Sequence, residues 1–165
     1  MPAPSASDLD AASSFARDLG EELTLVQQFV DVLAREQRVL TDGNSDDLPG
    51  YAEQKSQLAV RLNALAEQRN AALATHGLSK DRLGMAAWCA AHPEQTTAAA
   101  RWAQILALAG QARELNRVNG ELIQMRLQYN AQALEALQGG RDALDLYGPD
   151  GQAKTQGNPR IDDSV

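Results

Sequence analysis

The residues that could do chemistry at close range are a single cysteine and two histidines. Cys89 and His92 stand three residues apart, so one helix turn could place the thiol beside the imidazole, for metal binding or thiol activation. The flanking sequence AAWCAAH instead favours a small apolar thiol packed against its neighbours. The residues three positions before His76 and His92 are Leu73 and Cys89, so the Glu-x-x-His spacing of a di-metal helical bundle does not occur. We therefore expect no metal site.

Other residue patterns that could indicate catalysis or ligand binding are also missing or have a structural explanation. The sequence has no glycine-rich phosphate loop, and the acidic residues are spread along the chain as a solvated face would have them. Trp88 and Trp102 bracket the turn at Pro93, where they would plug the end of a helical bundle or, as the alternative, stack on a ligand. We expect a protein without catalytic residues or cofactors.

Composition restricts the class of protein further. The chain has 165 residues, enough for one domain, and a formal net charge of −7, which argues against binding to nucleic acid or an anionic membrane. One cysteine excludes an internal disulfide, and the first residues, MPAPSASDLD, lack the features of a secretory signal. No apolar run approaches the roughly 18 residues of a membrane span. These features predict a cytoplasmic protein.

The spacing of apolar residues predicts helices almost throughout. A heptad seam runs from Leu19 to Leu40, and turn residues follow it at 41–50, with Asp46 or Asp47 as a cap. A second seam runs to Ala72 and ends at His76-Gly77; its two polar members, Lys55 and Arg69, are expected to extend their charges to water.

A short helix should open at Ser79, and a long one should run from about Glu94 to Gln138, stopped by Gly139-Gly140. The predicted fold is all-α: an elongated antiparallel helical bundle with three long helices, one short helix and a C-terminal tail. We expect residues 1–140 to form the bundle and residues 141–165 to form the tail.

The last helix has more apolar surface than packing in a bundle requires. At about 100° per residue its apolar arc spans roughly 200°, from Met125 to Leu127, against the stripe of about 100° that suffices for one packed face. Asn119 lies inside the arc, where it could set the register of the bundle or bind the backbone of a guest segment. Such an arc fits a protein that holds another helix, or one that pairs with its own copy.

Three motifs in this region resemble a known family. The segment LNRVNGELIQMRLQYNAQALEALQ at 115–138 contains L-N-x-x-N-G and N-x-Q-A-L, and L-Y-G-x-D-G follows from Leu146. A second block at 53–69 includes Lys55-Ser56 and Glu67-Gln68-Arg69. Together these residues resemble the FlgN family of flagellar export chaperones, over about residues 20–152.

The resemblance implies a chaperone that binds the C-terminal amphipathic helices of the hook–filament junction proteins FlgK and FlgL and prevents their premature assembly. It would then deliver them to the type III export gate. The predicted cargo surface consists of Asn119, Leu122, Met125, Tyr129, Leu134 and Leu137. Among these, Met125 and Tyr129 come from helical geometry alone.

The resemblance also implies that Tyr147 docks on the export gate protein FlhA once cargo is bound. Glycine and proline at 148–151 would fix a turn that presents the ring. Alternatively, Leu144, Leu146 and Tyr147 cover apolar surface of the empty chaperone. The rival function is a self-associating helical adaptor without cargo, although empty copies of a chaperone could also pair weakly.

Overall fold

The computed structural model describes residues 6–44 and 46–145, with side chains described from Asp10 to Gln138 within that range. These residues form four α-helices joined by short connections, which confirms the all-α prediction. The helices are α1 (Ala6–Asp42), α2 (Leu48–Thr75), α3 (Arg82–Ala91) and α4 (Thr96–Asp145). None of the described helices is long and apolar enough to cross a membrane.

The chain divides into two compact units, Met1–Leu122 and Ile123–Val165. The first contains α1 to α3 and the N-terminal part of α4, and the second contains the rest of α4.

Helix α1 supplies the centre of the first unit. The predicted heptad seam is confirmed, because Leu19, Val26, Val30 and Leu33 are all buried. The α1 residues enter every core cluster of the unit, packing with Leu58 and Leu73 of α2, Met85 and Trp88 of α3, and Ala98, Ile105 and Ala112 of α4. Burial of this seam against three other helices stabilises the unit at about 25 cal/mol per Å² of apolar surface.

Polar contacts define how the helices run in this unit. Glu22 of α1 pairs with Arg69, and Glu36, further along α1, pairs with Lys55, so α2 is antiparallel to α1. Helix α4 is parallel to α1, because its Arg101 donates to the Ala16 carbonyl and Asn119, two and a half heptads later, donates to the Leu33 carbonyl.

The end of α2 follows the prediction. Gly77 has a φ of +68°, in the left-handed region that favours glycine. Its N–H donates to the Ala74 carbonyl, and the N–H of Leu78 donates to that of Leu73, which is the Schellman arrangement. Leu78 then packs against the main core cluster.

The start of α3 differs from the prediction. The cap is Asp81, whose Oδ1 accepts hydrogen bonds from the N–H groups of Leu83 and Gly84, at 2.9 and 3.0 Å. Ser79 supports that cap by donating its hydroxyl to Asp81, at 2.6 Å. Asp81 rather than Ser79 caps the helix because a carboxylate, as a charged acceptor, forms stronger hydrogen bonds with the N-terminal N–H groups than a hydroxyl does.

The bounds of α4 also differ from the prediction. It begins at Thr96 rather than near Glu94, and its backbone passes through Gly139-Gly140 to Asp145, so the predicted stop at Gln138 is wrong. A glycine costs a helix interior about 1 kcal/mol relative to alanine but leaves every backbone hydrogen bond available. The following residues, RDALD, can therefore continue the helix.

Candidate protein-binding surface

The cysteine and histidines occupy structural positions. Burial raises the pKa of the half-buried Cys89 thiol, which is the opposite of the activation a nucleophile needs. His92 stacks on Trp88, with ring centroids 4.3 Å apart, and its Nδ1 lies 2.9 Å from the Trp88 carbonyl oxygen. Trp88 is itself buried against Phe15, as the predicted plug of the bundle end requires. Across residues 10–44 and 46–138, no group of three or more metal-ligating side chains comes together.

The charged positions of the α2 seam were interpreted wrongly from the sequence. Lys55 and Arg69 do not extend to water: they form ion pairs with Glu36 and Glu22, which are almost completely buried. Arg69 also lies over the Trp102 ring, 4.7 Å from its centroid. These two glutamates are exceptions to the expected solvated acidic face. Glu22 and Glu36 are two heptads apart, and so are Lys55 and Arg69. This matched spacing is the feature of the sequence from which the two ion pairs could have been predicted.

Asn119 belongs to the same polar interior. Its side-chain amide donates to the Leu33 carbonyl at 2.9 Å and to Glu36 Oε2 at 2.8 Å, and only 1% of the residue is exposed. Its Oδ1 is buried without a hydrogen-bond partner in the described structure. In this conformation Asn119 ties α4 to α1, so its contacts support the register role and leave it out of reach of a guest.

The exposed apolar side chains are concentrated in the second unit. Met125, Leu127, Tyr129, Leu134 and Leu137, together called the apolar face, are each between 59% and 73% exposed. Leu122, the last residue of the first unit, is half-buried. Because large apolar side chains rarely cluster in the open on soluble proteins, the apolar face is the strongest candidate for a binding surface.

The helix geometry makes this surface continuous. With a rise of 1.5 Å per residue, Met125 and Leu137 lie about 18 Å apart along α4. The flanking residues are mostly uncharged: between 123 and 138 the only ionisable side chains besides Tyr129 are Arg126 and Glu135. A surface of this kind can bury apolar area against another helix, and it offers little for recognition by charge.

A smaller apolar groove lies within the first unit, where α1, α2 and α4 meet. Its volume is about 320 Å³, and its walls include Val26, Phe29, Leu62 and Ala112. This volume is at the low end for a small-molecule pocket, and it would accept a few side chains rather than a helix.

The predicted gate-docking residue Tyr147 lies outside the described residues, as does the tail beyond Asp145. Of the predicted cargo residues, Met125, Tyr129, Leu134 and Leu137 are exposed in the structure. Leu127, equally exposed, ended the predicted arc and belongs with them.

An all-α chain with a helix face this apolar and this exposed is typical of proteins that bind other proteins. The family described as FlgN protein matches residues 11–155, and the chain belongs to that family. The flagella synthesis protein FlgN of Yersinia enterocolitica is 34% identical over 139 residues, covering 83% of this chain and 87% of the relative. The protein of the same name from Salmonella typhimurium is 32% identical over 136 residues, covering 81% and 86%. No solved structure is significantly similar.

Proposed function

We propose that this protein is a cytoplasmic flagellar export chaperone. It binds the C-terminal amphipathic helices of FlgK and FlgL on the apolar face of α4, prevents their premature assembly, and delivers them to the export gate. Membership of the FlgN family and the flagellar names of the relatives support the flagellar role. The single observation that carries the binding role is the exposure of five large apolar side chains on one helix segment.

The energy available at this surface fits reversible binding. Full burial of a large apolar side chain contributes about 1.5–3 kcal/mol, so five side chains that are already one-third covered offer on the order of 5–10 kcal/mol. Association and ordering of the partner offset a large part of this gain. Binding of a cargo helix therefore depends on several members of the apolar face together, and charged residues in place of Tyr129 and Leu137 should abolish measurable affinity.

Calorimetric titration with the C-terminal helical segments of FlgK and FlgL tests this proposal. The variant Tyr129→Asp/Leu137→Asp places two charges in the apolar face, and Gln124→Asp/Gln128→Asp places two charges on the opposite side of the same helix. Wild type and the control should bind with a negative heat-capacity change, and the first variant should not. A tight homodimer with no cargo binding would instead favour the self-associating adaptor.

Delivery to the gate is proposed to use Tyr147 as the docking point for FlhA. An aromatic ring beyond a helix can anchor in a pocket at small cost in conformational entropy. Tyr147→Ala should weaken capture of the loaded chaperone by FlhA and leave cargo affinity unchanged. Tyr147→Phe, which keeps the aromatic ring, is the matched control and should be captured like wild type. Equal capture of Tyr147→Ala and wild type would overturn this step.

A further inference from the structure

Arg126 lies at the centre of the apolar face. At about 100° per residue it is about 100° from Met125 on one side and from Leu127 on the other, and Leu137 lies about 20° from it. Arg126 is half-buried, unlike the exposed apolar side chains around it. A segment that covers the face must bring acceptors to the guanidinium, because a cation removed from water without them is costly. A carboxylate flanked by apolar side chains is the best match.

A second copy of this chain does not supply that carboxylate through the same face. Between 123 and 138 the one acidic residue is Glu135, nine residues after Arg126 and therefore about 180° around the helix from it. When two such faces pack together, each Glu135 points away from the guanidinium groups. Residues 139–145 do not cover the face either, because they continue α4 and a continuing helix leads away from its own earlier turns.

The sequence beyond α4 contains the required pattern. The segment IDDSV at 161–165 places two acids between two apolar residues. In an extended backbone Ile161, Asp163 and Val165 share one side and span about 13 Å, so a carboxylate stands between two apolar side chains. The preceding residues 152–160 contain no large apolar side chain, so they can serve as a polar linker.

The length of chain between α4 and this segment is sufficient. Arg126 lies 19 residues before Asp145, which is about 29 Å back along the helix axis. The sequence GPDG at 148–151 has the residues typical of a chain reversal. From 152 to 163 the chain spans up to about 40 Å when extended, so Asp163 can reach the level of Arg126 with residues to spare.

We propose that residues 161–165 dock on the apolar face when the chaperone is empty, with Asp163 paired to Arg126, and that a cargo helix displaces them. This inference rests on the chaperone function proposed above and adds a regulation of the same site. A guanidinium has five N–H donors, so Arg126 can hold a carboxylate in addition to the interaction it already makes.

The linker determines how strongly the docked segment competes with cargo. A short flexible linker gives an effective concentration on the order of 1 mM. A contact with a Kd of about 0.1 mM between separate molecules would then be about 90% closed within one chain. The apparent affinity for cargo is lowered by the open fraction, which is about tenfold in this case.

Cross-linking of the purified full-length chaperone tests the contact. A photoreactive phenylalanine analogue replaces Tyr129, about 4–5 Å along α4 from Arg126. We expect adducts within one chain between position 129 and residues 161–165, in a yield that is independent of protein concentration and falls when the C-terminal helical segment of FlgK is added. Asp162→Asn/Asp163→Asn should lose the adduct. The control Asp46→Asn/Asp47→Asn, which removes two exposed acids from the α1–α2 connection, should keep it.

Calorimetric titration with the same FlgK segment tests the regulation. Asp162→Asn/Asp163→Asn should bind it about five- to tenfold more tightly than wild type, and the control should stay within about twofold. Absence of the intrachain adduct, adducts between two chains only, or equal affinity of this variant and wild type would overturn the inference and leave the chaperone function standing. If neither wild type nor the variant bound the segment, the chaperone function would fail, whereas the intrachain adduct would still support the docked segment.

Discussion

Removal of the Glu36 carboxylate should be among the most damaging single changes in the first unit. Glu36 is 2% exposed; its Oε1 lies 2.7 Å from Lys55 Nζ, and its Oε2 accepts from the Asn119 amide at 2.8 Å. In Glu36→Ala the ammonium group loses its ion pair, and the Asn119 amide keeps only the Leu33 carbonyl. Breaking a fully buried pair costs about 3–5 kcal/mol; because the Lys55 side chain is 21% exposed and can turn to water, we expect about 2–4 kcal/mol.

Urea denaturation measures this loss as a lower midpoint at unchanged slope. The matched control is Glu114→Ala, which removes an ion pair with Arg117 whose two side chains are more than half exposed, so it should leave the denaturation midpoint nearly unchanged. The double variant Glu36→Leu/Lys55→Met replaces the pair by apolar side chains and should recover much of the stability. If Glu36→Ala cost no more than Glu114→Ala, the buried polar layer would not contribute to stability as argued.

Three further changes test local features of the fold. Gly84→Ala should lower the free energy of unfolding by about 1–3 kcal/mol, because its Cβ would lie 1.7 Å from the Ser79 carbonyl oxygen; an unchanged thermal midpoint would contradict that close approach. Gly110→Ala should raise the free energy of unfolding by about 0.5–1 kcal/mol, because the added Cβ would meet nothing within 4 Å in an exposed helix interior. A lower free energy of unfolding would mean that this part of α4 is not regular helix. The Ser79 hydroxyl and the backbone N–H groups hold the pKa of Asp81 below its ordinary value of 3.8. The resulting stability is fully present above pH 3.8 and is lost as the pH falls through the lower, folded-state pKa, so the stability difference between wild type and Asp81→Ala should shrink in acid urea titrations; a constant difference would refute the cap.

The helices themselves could be predicted because their signals are local. The seam from Leu19 to Leu40 specifies the buried side of α1, and Gly77 specifies the end of α2, without knowledge of any other segment. The partners of Lys55 and Arg69 could not be predicted in this way. In the sequence of α2 alone, Lys55 and Arg69 each interrupt the apolar seam. Their partners on α1 can be identified only when the antiparallel register of the two helices is known.

The candidate surface was predicted in part, for a related reason. The apolar arc of α4 follows from spacing alone, but spacing does not tell which part of a long helix is packed. The structure makes that distinction. Asn119 is buried against α1 and Leu122 and Ile123 are half-buried, whereas the large apolar side chains from Met125 onward along the chain are exposed. Leu127 could have been included from the sequence, since it closes the predicted arc.

The central claim is that the apolar face of α4 holds cargo in the cell. A photoreactive phenylalanine analogue in place of Tyr129, with the same analogue in place of Gln128 as the control, tests it in flagellated cells by cross-linking and mass spectrometry. We expect adducts with the C-terminal region of FlgK or FlgL from position 129 and few from position 128. Adducts of position 129 with a second copy of the chain alone, or equal cargo labelling from both positions, would contradict it.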